Sequence, residues 1–340
     1  MSFPIRSAPV VRAVLTAVVL GSAGGCTGFA SAPAKADELP ADRPETAQAP
    51  AAGTRASSQT DTQAQTDGRL TQLRPGKAAP PLARLRGLDL DRVRRGAQLV
   101  PQTWIGDLPD RLEKLARPGA RKQLFIKTTL PAVLRANASI KAERDFLRAV
   151  IALDIPRQAL PSAMRDKLQA LAEKYRTEPG ELGKLKRRVD VVPPALVLAQ
   201  AAIETGWGTS RFAQQGNALF GQHTRDPNDA GMTPQGLEDP SFRVRTFETV
   251  TAAVEAYLRN LNTHPAYAKL RRIRADARAR GDRPDATKLA AGLVDYSARG
   301  QEYVADIRLT IRANDLQAFA EARLHPRVNQ LVDASSFAGK

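Results

Sequence analysis

Cysteine occurs once in the 340 residues, at Cys26, and histidine three times, at His223, His264 and His325. One thiol excludes an internal disulfide and any multi-thiolate metal or iron-sulfur site. Three scattered histidines without HExxH spacing give zinc no obvious home, so no cofactor and no metal is expected. Aromatic residues make up only 5% of the chain, and none falls between Ala30 and Thr103. That stretch is rich in Ala, Pro, Thr, Gln and Arg and lacks the large apolar groups that offset the entropy of ordering a chain. Residues 26–103 are therefore expected to form a disordered tether, with the globular part beginning near Trp104. Long apolar runs are also missing at the N-terminus, where Ala13 to Leu20 is only eight residues long. A bilayer core of roughly 30 Å needs about 20 residues of helix, so a permanent transmembrane span is not expected there.

What the N-terminus does carry is an export signature: Arg6 and Arg12, then the short apolar run, then small residues from Gly21 to Gly25 ahead of Cys26. The order resembles a bacterial lipoprotein signal, in which residues 1–25 are removed and the cysteine becomes the lipidated first residue. Ala23 stands where Leu is usual, and the alternative is a cleaved secretory peptide with an incidental cysteine. Both place the protein outside the cytoplasm. The expectation is a periplasmic protein held by a lipid on Cys26, in the outer membrane because Thr27, not Asp, follows the cysteine.

Acidic residues are in short supply, with 35 Asp plus Glu against 51 Lys plus Arg, for a net charge of +16. Such a surplus suits an anionic partner without naming one. Residues 1–100 carry 13 basic and 8 acidic side chains, 101–200 carry 19 and 11, and 201–340 carry 19 and 16. The surplus thus belongs mainly to the first 200 residues and speaks to adhesion to an anionic surface more than to chemistry. Seven basic side chains between Lys269 and Arg283 face only Asp276 and Asp282 as acids. They form either a solvated helix face or a surface that meets wall or lipopolysaccharide phosphates. No aromatics interleave them, so no nucleic acid is expected as a partner.

Apolar periodicity predicts a mainly helical globular part. From Lys122 to Leu153 the spacing is helical, with Pro131 marking a kink or break. Ser162 is a candidate N-cap for a helix through Tyr175, and a shorter helix carries Leu182, Leu185 and Val189. A helix from Pro194 to Glu204 is apolar almost all round and should be the buried centre of the domain. Residues 205–240 carry six glycines and three prolines and read as loops. Phe242 to Phe247 alternates as a half-buried strand does. Thr249 can cap a helix carrying Val254, Tyr257 and Leu261, and two further helices are predicted over 284–294 and 301–320.

The only polar side chains inside the 194–204 helix are Gln200 and Glu204, four residues apart and so on one face. A lone carboxyl on an apolar helix is costly unless it faces a cleft or a partner. The negative helix end and the apolar Ile203 and Trp207 both disfavour ionisation. A carboxyl with a raised pKa suits a general acid that protonates a leaving glycosidic oxygen. The helix pattern alone leaves a second possibility, an exposed polar stripe with Glu204 paired to Arg211.

Residues 198–221, LAQAAIETGWGTSRFAQQGNALFG, resemble the glucosaminidase domains of glycoside hydrolase family 73, in particular their bacterial Bax-like branch. The resemblance continues through FRVRTF at 242–247, AYLRNLNTH at 256–264 and YSARGQEY at 296–303. It covers roughly 104–319 and is strongest after Arg188. A 24-residue match with ordered Gln, Glu, Trp and Asn-Leu-Phe-Gly positions is far more specific than a lone motif. The resemblance implies a lysozyme-like α+β fold, mainly α with a small β lobe, and an endo-β-N-acetylglucosaminidase that cuts β-1,4 bonds after N-acetylglucosamine in peptidoglycan. It places the catalytic acid at Glu204, a second carboxyl at Glu238 with Asp239 and Glu248 as neighbours, and the late aromatic positions at Tyr296 and Tyr303. Gln200, Trp207, Asn217 and Phe220 are the implied substrate-binding positions. The second group would activate water, attack the sugar, or yield to the substrate's own acetamido group. A lytic transglycosylase and a non-catalytic wall-binding lipoprotein are the competing readings.

The expected organisation is a signal peptide at 1–25, a lipidated tether at 26–103, an N-terminal helical region at 104–190, a catalytic domain at 191–322 and a C-terminal tail at 323–340. The expected partners are peptidoglycan glycan strands and, through the lipid, a membrane; the protein is expected to be a monomer.

Overall fold

The computed structural model describes residues 85–103, 105–235 and 241–326. The signal-like segment with Cys26, and Trp104, Glu238 and Asp239, lie outside them. The helices are α1 (Leu90–Arg94), α2 (Arg111–Lys114), α3 (Pro118–Ala152), α4 (Ser162–Lys174), α5 (Leu182–Arg188), α6 (Pro194–Thr205), α7 (Arg211–Gly216), α8 (Val250–Thr263), α9 (Ala268–Ala279), α10 (Ala286–Leu289) and α11 (Gln301–Ala313), with a closing 3-10 turn at Leu316–Glu321. Among the described residues no helix is long and apolar enough to cross a membrane. The fold is the mainly α, lysozyme-like arrangement that the sequence leads one to expect.

Helix α6 is the axis. Ala195 to Ala202 are all buried, and α3, α10, α11 and the closing turn pack round them. Burying Leu196, Val197 and Leu198 contributes about 1.5 to 3 kcal/mol each, while the alanines between them let the neighbouring helices approach closely. Pro194 in the first turn lacks only an N–H that a helix leaves unpaired in any case.

Helix α3 runs unbroken for 35 residues across Pro131, where the sequence suggests a kink or break. Pro131 removes one backbone hydrogen bond, but residues 128–134 around it are all buried. The packing supplied by α6 and α8 outweighs a local cost of about 3 kcal/mol. The first half of α3 belongs to the main core and its last turns to a second cluster with α4 and α5, centred on Leu147, Leu171, Tyr175 and Leu185. Ser162 is the first residue of α4 and makes no capping bond, because Pro161 holds the N-cap position.

The packed chain begins earlier than the tether expectation allows. Leu85, Leu88, Leu90, Val93 and Val100 are buried in the main core, and Asp89 caps α1 by accepting from the amides of Asp91 and Arg92. Aliphatic side chains spaced to dock on the closing turn are enough here without any aromatic, and the Arg94 guanidinium covers Phe319 at 4.7 Å. Val100 also pairs with the region expected to be a tail: its amide donates to Arg323, and the His325 amide donates to its carbonyl.

The β lobe is a three-stranded antiparallel sheet of order β1 (His223–Thr224), β3 (Arg243–Arg245), β2 (Gly231–Met232). Val244 faces inward between half-exposed arginines and pairs with both His223 and Met232. The strand is shorter than the predicted 242–247 because its partners last only two residues each. Helix α7, within the region read as loops, is nucleated by Ser210, whose hydroxyl accepts from the Ala213 amide. The β lobe closes directly on this helix, since a Cβ added to Gly216 would lie 2.4 Å from Thr246.

The basic cluster of α9 divides between inside and outside. Arg274 is 1% exposed and donates to the carbonyls of Arg187, Asp190 and Val191, while Arg271 donates to those of Leu261 and His264. Arg278 and, at 3.5 Å, Arg144 meet the buried Asp190 carboxylate. Part of what reads as a charged surface is therefore an internal clamp on the segment that leads into α6.

Candidate active site

Glu204 sits in the last turn of α6, and the next three residues form a sharp exit. Gly206, Trp207 and Gly208 all have positive φ, at 58°, 62° and 81°. Thr205 holds this turn, its hydroxyl donating to the Ala201 carbonyl and accepting from the Gly208 amide. Gly208 has no alternative, because a Cβ there would lie 2.9 Å from Phe125 in addition to the unfavourable φ. The turn ends the helix at the carboxyl, which leaves Glu204 at a rim instead of inside a longer helix.

Gln200, one turn earlier, is fully buried, and Arg211 is engaged with the Thr233 carbonyl. The exposed-stripe possibility, with Glu204 paired to Arg211, is thereby removed. Instead a chain of side chains leads to the acid. The Tyr257 hydroxyl donates to Gln200 Oε1, Gln200 Nε2 donates to the Tyr303 hydroxyl at 3.0 Å, and Tyr303 donates to Glu204 Oε1 at 2.6 Å. Among the described residues, Glu204 Oε2 accepts nothing. Burial pushes the Glu204 pKa up to about 7, with the Tyr303 hydrogen bond pulling the other way. At neutral pH such a group is shared between its acid and its base form, as proton donation requires.

Tyr296 lies beside this chain: its ring stacks on Tyr303 at 5.4 Å between centroids, and its hydroxyl donates to the Phe220 carbonyl at 2.6 Å. Phe220 in turn stacks face to face on Tyr257 at 3.8 Å. Tyr267 approaches Tyr296 at 6.0 Å, and its pKa is raised by burial and then by the Glu204 charge. The candidate acid is thus ringed by four tyrosines from α8, the turn after it, the loop before α11, and α11.

The remaining sequence candidates fall into distinct places. Trp207 packs edge-on to Phe125 at 5.8 Å with the Lys122 ammonium 5.0 Å from its ring, and so faces α3. Asn217 ends α7 with φ 51°, and its amide donates to Asp107 and to the Phe247 carbonyl. It ties the β lobe to the chain ahead of α2. His223 is on β1 beside Phe242 at 4.7 Å, its pKa lowered by burial. Glu238 and Asp239 lie outside the described residues, and Glu248 stands exposed just before α8. Among the described residues no group of three or more His, Cys, Asp or Glu side chains gathers as a metal site requires.

Sequence reasoning missed Tyr257 and Tyr267 as members of the site. Tyr257 has the spacing of the apolar face of α8 and reads as core. The available signal was its hydroxyl, since a phenol on a buried stripe needs a partner.

A carboxyl at the end of a buried helix, its pKa raised by burial and one oxygen held by a tyrosine, suits the acid of a glycoside hydrolase. A model of the glucosaminidase family, described as mannosyl-glycoprotein endo-beta-N-acetylglucosaminidase, matches residues 181–316, a span that includes Gln200, Glu204, Tyr257 and Tyr303. The chain belongs to the glucosaminidase family. It is 36% identical over 205 residues to Protein bax of Escherichia coli (strain K12), a match that covers 58% of this chain and 70% of that protein. No solved structure matches it significantly.

Proposed function

We propose that the protein is a peptidoglycan hydrolase of the endo-β-N-acetylglucosaminidase type, with Glu204 as the general acid. The observation that carries this reading is a single carboxyl at the rim of an apolar helix, its pKa near 7 and one oxygen fixed by Tyr303. Glu204 gives its proton to the glycosidic oxygen, the bond from that oxygen to the anomeric carbon of N-acetylglucosamine breaks, and both bonding electrons leave with the oxygen. Water supplies the new oxygen on the anomeric carbon, and its spare proton restores the enzyme. Glu238 is proposed as the second carboxyl, and Tyr296 and Tyr303 as the groups that orient the acid and the reacting sugar. Trp207, Asn217 and Phe220 are proposed to support the walls of the binding cleft, and Gln200, which is fully buried, to act on the site through Tyr303.

Digestion of purified sacculi by the full chain, followed by mass spectrometry, tests the reaction. Soluble muropeptides with reducing N-acetylglucosamine ends are expected. Anhydro-muramic ends would assign a lytic transglycosylase, and binding without any soluble fragment would assign a wall-binding protein.

The anchor proposal is separate: Cys26 carries the lipid and residues beyond it give the enzyme reach from the outer membrane into the wall. Cys26→Ser is expected to move the protein from the membrane fraction to the soluble periplasmic fraction. A wild-type protein already soluble there would overturn the anchor.

A further inference from the structure

We propose that Tyr257 is a positioning residue for the acid: acting through Gln200, it directs the one hydroxyl proton of Tyr303 onto Glu204. The inference rests on the reading of Glu204 as the acid and adds a residue and a device to it.

The device follows from the donor and acceptor inventory of the groups involved. A glutamine amide has one accepting end and one donating end, and they are not interchangeable. Gln200 has no exposure at all, so bulk water does not complete whichever end is left over. Tyr257 donates to Oε1, which turns Nε2 toward Tyr303. The Tyr303 oxygen therefore receives a proton from Gln200 and has only its own to give, and Glu204 Oε1 takes it. With Oε1 committed as an acceptor, the transferable proton of the acid is confined to Oε2. Were the amide reversed, its carbonyl would compete with Glu204 for the Tyr303 proton.

The packing keeps the two ends of the chain in step. Tyr257 is set by its stack on Phe220, and the Phe220 carbonyl holds Tyr296, whose ring sets Tyr303. The titratable groups that bear on Glu204 are Tyr257 of α8, Tyr267 of the turn after α8, Tyr296 of the loop before α11 and Tyr303 of α11. The described structure brings no cationic side chain to bear on it. The hydrogen bond from Tyr303 is therefore the available influence that lowers the pKa of the acid, and losing it raises that pKa.

Tyr257→Phe keeps the stacked ring and removes only the hydroxyl. Two midpoints are to be measured on the full chain: the upper limb of the pH profile of kcat, and the carboxyl titration of Glu204 followed by 13C NMR without substrate. Both are expected to move upward by about half a pH unit or more, with kcat at neutral pH down about tenfold and KM unchanged. Gln200→Met should shift them in the same direction, and the double variant should be no worse than Gln200→Met alone, because both cut one chain. A purely structural role would lower the melting temperature and move neither midpoint. Wild-type midpoints in a folded Tyr257→Phe protein, or additive effects in the double variant, overturn the proposal. If circular dichroism shows Tyr257→Phe unfolded, the titration in Gln200→Met decides, and an unchanged midpoint there overturns it. The NMR titration needs no turnover, so a failure of Glu204 as the acid is seen apart from a failure of this relay.

Discussion

If Glu204 is the acid as proposed, Glu204→Gln is expected to lower kcat on peptidoglycan by about 10³-fold, the usual contribution of a general acid, with little change in binding. The amide matches the carboxyl in shape and still accepts from Tyr303, so the helix exit and the stacked tyrosines stay in place. What is lost is the proton for the leaving oxygen. Wild-type activity that needs the acid form is expected to be present below about pH 7 and to fall as pH rises through that value. The same burial has a stability consequence of the opposite kind. The unfolded chain loses the Glu204 proton near its ordinary 4.5, while the native state keeps it to about 7. Between those values the unfolded state binds fewer protons, so burying this group makes the native state progressively less stable as pH rises. Glu204→Gln has no such liability. It is expected to show only that residual activity, without the fall through pH 7, and to melt higher than wild type at pH 8 but not at pH 4. Retained cleavage, or a melting difference independent of pH, would sink the assignment of the acid.

The second large effect is on folding. Arg274→Met is expected to destabilise the protein by about 3 to 5 kcal/mol, which lowers the melting temperature of a domain of this size by about 10 °C. The backbone carbonyls of Arg187 and Val191 lose this donor at once, and that of Asp190 is left with Asn262 alone. The buried Asp190 carboxylate loses a guanidinium 3.7 Å away. Burial draws the Arg274 pKa down to about 10 against the pull of Asp190, so the group is charged throughout the physiological range. These bonds fix residues 187–191, and Asn137 fixes Val192 through both its amide and its carbonyl. The start of the helix that bears Glu204 is thereby held against α3 and α9. Arg272 is exposed on the same helix, and Arg272→Met is the control, expected to change stability by no more than about 0.5 kcal/mol. Equal losses for the two variants would mean that net charge, not the clamp, is what matters.

These two residues were not equally legible in the sequence. Glu204 was legible because an isolated carboxyl on an apolar helix is conspicuous at the level of periodicity, and the 198–221 segment fixes its neighbours. Arg274 was not, because basic side chains three or four apart read as one charged face. Only the packing of α9 against α5 and the 187–191 segment shows which of them points inward, toward carbonyls that no side-chain pattern records. The same reason hid Tyr257, whose ring obeys the apolar spacing while its hydroxyl serves Gln200. It also misplaced the start of the packed chain: Leu85 to Val100 is too sparse in apolar groups to fold alone, yet it docks on a surface that residues 316–324 provide.

The sequence by itself determined the helical class, the buried central helix, the cap at Thr249 and the place of the lone carboxyl proposed as the acid, since each depends on residues near one another along the chain. Tertiary structure alone decided the continuity of α3 through Pro131, the inward turn of Arg274, and the path of hydrogen bonds from Tyr257 to Glu204. The last two arise from groups 57 to 103 residues apart, whose encounter is governed by burial and by the need of each buried polar atom for a partner.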